Sequence, residues 1–178
     1  MEPWQQERAI GVLQQAIAIE KEGKTFYQGL ANKAENPQVK SMFNFLVTDE
    51  QSHVDKLEAE IDSLRGGTCL DPLSFEKEDK PRDRKSFFDR AKDQILPRMK
   101  ANFTQLDALK VALDMENKGY AFYEKAAADS ADPMLKGMFQ YLMGQEKEHR
   151  ELLTNTLVYL EAPLDWFGKE ERHMFDGG

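Results

Sequence analysis

The sequence is poor in the residues on which several classes of protein depend. Its 178 residues include one cysteine, Cys69, which excludes an internal disulfide framework and any four-cysteine metal site within them. No run approaches the roughly 18 apolar residues of a membrane-spanning helix. Basic residues number 24 against 32 acidic ones, and the net charge of −8 argues against binding to nucleic acid. The sequence therefore predicts a protein with neither a membrane nor a nucleic acid as its partner.

The remaining composition is that of a globular protein. Hydrophobic residues make up 40% of the chain and charged residues 31%, which is too apolar for a disordered chain. The length suits one domain, residues 1–178. The first residues lack the basic start and apolar block of a signal peptide, so a cytoplasmic location is expected.

The sequence also contains an internal repeat. A shift of 96 residues aligns residues 20–61 with residues 116–157 without a gap, and 13 of the 42 aligned residues are identical. Roughly two or three identities would be expected by chance at typical residue frequencies. We interpret the chain as two copies of one structural unit.

Each copy of the repeat reads as two helices. Apolar residues recur at helical spacing on both sides of a turn, which is marked by Asn36-Pro37 in the first copy and Asp132-Pro133 in the second. Gly66-Gly67 ends the second helix. We predict helices at about 4–33, 37–65, 104–130 and 133–161, followed by a tail at 162–178.

The connection between the two copies, residues 66–103, is too long for a hairpin loop. Phe87, Phe88, Ala91 and Ile95 fall at helical spacing within it, which predicts a short helix at about 83–96. A connection of this length can run the height of a bundle and leave the second and third helices parallel. The predicted fold is therefore an all-α, ferritin-like four-helix bundle of two helix-hairpin repeats with a long crossover.

Each predicted hairpin brings two glutamates to the same height. Glu20 and Glu50 each lie 15 residues from the turn near Glu35, so an antiparallel pair of helices places them level. The second hairpin repeats this spacing. In both, a histidine follows the later glutamate by three residues and shares its face. Six residues are thus predicted to meet in one interior layer: Glu20, Glu50, His53, Glu116, Glu146 and His149.

Four unneutralised carboxylates in a core would be prohibitive, whereas two divalent cations would cancel their charge. Carboxylates with a minority of imidazoles suit iron or manganese. One glutamate from each of two helices, with Glu-x-x-His from each of the other two, is also the known pattern of di-iron and di-manganese bundles. At this point the residues predict two divalent cations, which can be iron, manganese or a mixed pair.

Other readings stay open at this point. Glu-x-x-His alone is weak evidence, and Glu170 with His173 in the tail also fits it by coincidence. A bundle that keeps inherited polar residues without metal is the alternative for the whole set. Tyr27 and Tyr123 lie on the glutamate face and are candidate catalytic residues, although core tyrosines with satisfied hydroxyls are more common.

Four further residues lie close to the predicted site. Gly23 and Gly119 each follow a glutamate by three residues, and either leave space for oxygen or peroxide or allow close helix contact. Asp49 and Asp114 are the candidates to accept a hydrogen bond from a ligand histidine. Cys69, in the crossover, is interpreted as a small apolar residue.

The sequence resembles the rubrerythrin branch of the ferritin-like di-iron carboxylate superfamily over about residues 5–161. The resemblance implies a non-haem di-iron centre, often in a homodimer, that reacts with hydrogen peroxide or oxygen. It also implies that the six residues are the ligands, with Glu50 and Glu146 as bridges. The motifs that carry it are Glu20 with Phe26-Tyr27, Glu50 with His53, Glu116 with Phe122-Tyr123, and Glu146 with His149.

The sequence departs from this family in two ways. Typical members carry a rubredoxin-like domain with four cysteines, whereas these residues hold only Cys69, so electrons would come from an external donor protein. Typical members also have a further glutamate where this chain has Gly119, which makes its six-residue set closer to that of bacterioferritin ferroxidase centres. The resemblance implies an oxidoreductase, with a ferroxidase or iron-handling protein, or a non-catalytic metal-binding bundle, as alternatives.

Overall fold

The computed structural model describes residues 3–34, 37–68 and 103–161. Within these ranges the chain forms four helices and no strand, which confirms the predicted all-α bundle of two hairpins, and no helix is both long and apolar enough to cross a bilayer. The predicted crossover helix at 83–96 and the tail, with Cys69, Glu170 and His173, lie outside the described residues. The helices are α1 (Pro3–Lys33), α2 (Pro37–Arg65), α3 (Phe103–Asp129) and α4 (Pro133–Glu161).

Local sequence accounts for two of the helix ends in the described residues, the end of α2 and the start of α4. Gly67 adopts a φ of 80°, and the amides of Gly67 and Thr68 donate to the carbonyls of Leu64 and Ser63, at 2.9 and 3.0 Å. This pair of bonds is a Schellman motif, which glycine permits at the left-handed position. α2 therefore stops where Gly66-Gly67 predicted.

The second hairpin turns at Asp132. The Asp132 carboxylate accepts hydrogen bonds from the amides of Met134 (2.9 Å) and Leu135 (3.2 Å), while Pro133 occupies the first helical position and needs no partner for its nitrogen. Two otherwise unsatisfied donors at the start of α4 are thus capped.

Contacts between helices establish their directions. Tyr27 in α1 meets Glu116 in α3, and Glu20 in α1 meets Tyr123 in α3, so these two helices are antiparallel. α1 is also antiparallel to α2, as the Lys21–Glu58 pair and the Gln6–Leu64 hydrogen bond show. Consequently α2 and α3 run parallel, so the last residue of α2 and the first residue of α3 lie at opposite ends of the bundle. This is the order that the crossover prediction required.

The core consists of two apolar clusters with a polar layer between them. Leu13, Leu57 and Phe139 belong to the cluster nearer the α3–α4 turn. Phe43, Leu46 and Leu109 belong to the cluster nearer the α1–α2 turn. Both clusters exclude water from the layer between them, where the charged side chains of all four helices meet.

Candidate metal centre

The structure brings all six predicted ligand residues into the polar layer. Each lies on the inward face of its own helix, and each is only 1% to 4% exposed. The glutamates of α1 and α3 face the Glu-x-x-His pairs of α2 and α4 across the bundle. The residues are Glu20, Glu50, His53, Glu116, Glu146 and His149.

The first half of the layer is organised around His53. Its Nδ1 lies 3.1 Å from Oε2 of Glu20 and 3.1 Å from Oε2 of Glu50. The two carboxylates come from different helices, α1 and α2. This ring nitrogen therefore points at the space that the two carboxylates share.

The second half is organised around His149. Its Nδ1 lies 3.4 Å from Oε1 of Glu50 and 3.4 Å from Oε2 of Glu116. Among the described residues, His149 Nδ1 and Glu116 Oε2 are the buried side-chain nitrogen and oxygen atoms that have no hydrogen-bond partner. Buried polar groups are almost always satisfied, so an unpaired nitrogen and an unpaired oxygen facing each other indicate space for a further ligand.

The side chains form two groups, each of which could hold one ion. Every residue of a group offers one ligand atom, and the ligand atoms of a group all lie within 4.8 Å of one another. Glu20, Glu50, His53 and Glu146 form the first group, and Glu50, Glu116 and His149 form the second. Glu50 belongs to both groups, as a bridging carboxylate would. Glu146, the other expected bridge, belongs to the first group only, and its bridging role stays a prediction.

The two tyrosines cross between the hairpins. The Tyr27 hydroxyl donates a hydrogen bond to Oε1 of Glu116, and the Tyr123 hydroxyl donates to Oε1 of Glu20. Both rings are buried, and burial together with the neighbouring carboxylates raises the pKa of both phenols well above its ordinary value. Each hydroxyl therefore stays protonated and orients a glutamate of the opposite hairpin.

Four of the six side chains of the polar layer form two ion pairs, Glu20 with His53 and Glu116 with His149. Burial works to raise the pKa of Glu20, but the charge of His53 and its hydrogen bonds lower it to about 2. Burial likewise opposes the charge on His53, yet Glu20 raises the pKa of that imidazole to about 9. In the same way Glu116 has a lowered pKa and His149 a raised one, because each faces the other.

The other two glutamates have the opposite tendency. Burial, followed by the charge of Glu20, raises the pKa of Glu50 to about 7, and burial with the charge of Glu116 raises that of Glu146 well above its ordinary value. Without cations the layer is thus close to neutral only because it holds several protons. Bound divalent cations would replace those protons.

A cavity of about 210 Å³ opens between α1 and α3 onto the polar layer. All four glutamates of the predicted ligand set line it, together with Gly23, Gly119 and Tyr27. The histidines, on α2 and α4, are not part of its lining. A molecule the size of dioxygen or hydrogen peroxide therefore has a route to the carboxylate side of the layer. A second groove, of about 420 Å³, lies near the α3–α4 turn and touches none of the six residues.

The two glycines differ in the room that they leave. A Cβ at Gly119 would lie 3.1 Å from Oε2 of Glu146, whereas a Cβ at Gly23 would lie 3.7 Å from Oε1 of Glu50. The first distance is tighter than nine in ten real Cβ contacts, and the second is ordinary van der Waals contact. The absence of a side chain at Gly119 thus lets the Glu146 carboxylate lie close to the α3 backbone, and both glycines border the cavity.

Of the two aspartates singled out from the sequence, only Asp49 fits. Its Oδ2 accepts a hydrogen bond from Nε2 of His149 at 3.2 Å, and both groups are buried. The prediction for Asp114 is wrong, because its side chain is 63% exposed and pairs with Lys118 at 2.6 Å. Asp114 precedes Glu116 by two residues, which turns it about 200° away from the layer.

Sequence reasoning missed the outer lining of the cavity. Ile19 and Met115 each precede a ligand glutamate, and Glu22 and Lys118 each follow one by two residues. These residues occupy equivalent places in the two copies but differ in type, so identity between the copies could not reveal them. Their proximity to Gly23 and Gly119 on the helix surface was the available signal.

The family model described as Rubrerythrin matches residues 11–157 of the chain. This range covers most of α1, all of α2 and α3, and most of α4, and so includes all six residues of the layer. No curated protein and no solved structure shows a significant match to the chain.

Proposed function

We propose, from the premise that this chain belongs to the rubrerythrin family, that it is a non-haem di-iron oxidoreductase that reduces hydrogen peroxide or oxygen with electrons from an external donor protein. The observation that carries this proposal is the pair of buried ligand groups that share Glu50. Family membership supports a di-iron carboxylate protein, and the cavity supports a small oxidant as substrate.

The donor set fits two divalent cations. Four carboxylates can balance four positive charges, so both imidazoles bind as neutral ligands. A cation between them would give a partner to the unpaired Nδ1 of His149 and Oε2 of Glu116. Oxygen ligands with a minority of nitrogen suit iron, and manganese or a mixed pair is the alternative occupant.

Bound iron would supply the electrons for reduction of the oxidant. The protein's own residues would bind the ions, orient the ligand carboxylates and exclude water from the site. Tyr27 and Tyr123 each donate a hydrogen bond to Oε1, of Glu116 and of Glu20 respectively, so Oε2 of each glutamate is the oxygen that would bind an ion. The apolar clusters above and below the layer leave the α1–α3 cavity as the approach for substrate.

Anaerobic titration with ferrous iron tests the proposal, with Glu50→Gln as the variant. We expect wild-type protein to bind close to two ions per chain and to be oxidised rapidly by added peroxide. Because Glu50 belongs to both ligand groups, its amide should weaken the binding of both ions. Glu60→Gln is the matched control, since Glu60 is equally buried on α2 but belongs to neither group. No saturable uptake near two ions in wild type would overturn the proposal.

A ferroxidase or iron-handling protein is the second candidate. The observation that favours it is Gly119, which packs against Glu146 where a rubrerythrin of the typical kind has a further carboxylate. Repeated peroxide reduction with a chemical reductant supports the oxidoreductase, whereas a single oxidation followed by iron release supports the alternative. Retention of peroxide tolerance in cells that carry Glu50→Gln would favour a non-catalytic metal-binding bundle.

The assembly and setting are part of the same proposal. We propose a homodimer that acts in the cytoplasm and receives electrons from a separate protein. Sedimentation equilibrium measures the mass directly. A dimer is too small to enclose a mineral core, while a large hollow assembly would favour iron storage.

A further inference from the structure

The two copies of the repeat differ in the residue that precedes the later glutamate. Asp49, which precedes Glu50, is buried and accepts a hydrogen bond from Nε2 of His149 at 3.2 Å. The equivalent residue of the second copy, which precedes Glu146, is Gln145, and it is also buried. A carboxylate therefore occupies one of these two positions and a neutral amide the other.

The contact with Asp49 determines how His149 can bind a cation. A carboxylate accepts only from an N–H, so it holds a proton on Nε2 and leaves Nδ1 as the nitrogen that binds a cation when it gives up its own proton. That Nδ1 faces Glu50 and Glu116, at 3.4 Å from each, and has no hydrogen bond within the described residues. The Asp49 contact thus orients the His149 ring, with Nδ1 towards Glu50 and Glu116, before any cation arrives.

At the other proposed metal position, the nitrogen of His53 that faces the carboxylates is already hydrogen-bonded. Nδ1 of His53 forms hydrogen bonds of 3.1 Å with both Glu20 and Glu50, and a cation at this position has to replace them. A hydrogen bond to a charged acceptor is also roughly twice as strong as one between neutral groups. The carboxylate of Asp49 consequently increases the donor strength of His149 more than an amide would.

We propose that the two metal positions are inequivalent, that the His149 position takes the first divalent cation and binds it more tightly, and that Asp49 is the positioning residue responsible. This inference rests on the proposed two-ion site. It concerns the order and strength of binding, which the two-ion proposal leaves open.

The test is Asp49→Asn in two backgrounds, read by anaerobic calorimetric titration with ferrous iron. In His53→Ala, where the His149 position is the complete one, the substitution should weaken binding about 10- to 100-fold. In His149→Ala it should leave the affinity unchanged, because the side chain that Asp49 contacts is gone. Asp114→Asn is the matched control, since it removes the same charge from an exposed site and should change neither affinity.

A second measurement does not depend on the histidine variants. In protein with all six ligand residues, the two stepwise dissociation constants for ferrous iron should differ. Asp49→Asn should weaken binding only at the tighter of the two positions. Equal weakening in both backgrounds, or a lower Tm of the metal-free protein with both constants unchanged, would mean that Asp49 is only structural. If wild type binds two ions and Asp49→Asn has no effect, this inference alone fails. If wild type binds none, the proposed function fails.

Discussion

Each of the two buried tyrosines orients a glutamate that belongs to the other hairpin. Tyr27 donates to Glu116 and Tyr123 to Glu20, so the same interaction occurs twice at equivalent positions. From the sequence these residues were candidates for catalysis or for ordinary core tyrosines with satisfied hydroxyls. The contacts show satisfied hydroxyls whose acceptors are predicted ligands, and a catalytic role for either tyrosine stays a prediction.

Removal of either tyrosine hydroxyl should lower the stability of the metal-free protein. In Tyr27→Phe the buried Glu116 carboxylate loses a donor, and the free energy of unfolding of the metal-free protein should fall by about 1–3 kcal/mol. Tyr120→Phe is the control, because that ring lies against the Arg150 guanidinium and outside the layer, and a change within about 0.5 kcal/mol is expected. Urea denaturation measures both values, and equal losses would contradict the assigned hydrogen bond.

The glycine pair gives a second prediction at the residue scale. Alanine favours a helix over glycine by about 1 kcal/mol, so Gly23→Ala should stabilise α1 without disturbing Glu50. Gly119→Ala places its Cβ 3.1 Å from Oε2 of Glu146 and should displace that carboxylate. We therefore expect weaker ferrous binding in Gly119→Ala than in Gly23→Ala, measured by anaerobic titration. Identical affinities in the two variants would show that Glu146 can move without loss.

At the scale of the helices, local rules explain most of the boundaries. Predicted and observed bounds agree at 37–65 and 133–161, and α3 begins and ends one residue earlier than predicted. Caps and turns could be read from the sequence because they depend on a few adjacent residues, such as Asp132-Pro133 and Gly66-Gly67. The frayed end of a helix has no such marker, which accounts for one-residue differences.

The cap of α4 supplies a prediction at this scale. Asp132→Ala removes the acceptor for two amides and should lower the free energy of unfolding by about 1 kcal/mol. Asp132→Asn keeps an acceptor and should retain most of that stability. Because the cap lies at the end of the bundle, ferrous stoichiometry should be unchanged in both variants. Loss of metal binding on removal of the cap would show that the turn helps to position Glu146.

At the scale of the whole molecule, the polar layer couples stability to pH. In metal-free protein Glu50 and His53 have pKa values of about 7 and about 9, above their ordinary values of 4.5 and 6.5, chiefly because of burial for Glu50 and the charge of Glu20 for His53. The folded protein then binds more protons than the unfolded chain from about pH 5 to about pH 9, so its stability should fall as the pH rises. The lowered pKa of Glu20 acts oppositely and costs stability only in acid, as the pH falls from 4.5 towards 2.

Calorimetric melting in the presence of a chelator measures this dependence. The Tm of metal-free protein should be highest at about pH 5 to 6 and should decline towards about pH 9. Because cations replace the protons, ferrous affinity should increase over the same interval and the loaded protein should lose the decline. A Tm of the metal-free protein that increases from about pH 6 to about pH 9 would contradict the assigned protonation of the layer.

The sequence by itself determined the helices, the two hairpins and the common height of six polar residues. These follow from helical periodicity and the fixed rise per residue, which act along one chain segment at a time. Only the tertiary structure decided that Asp49 rather than Asp114 contacts a histidine, that each tyrosine reaches across to the other hairpin, and that a cavity opens between α1 and α3. Those facts depend on which helices are neighbours and how each is rotated about its axis, and no local pattern encodes either.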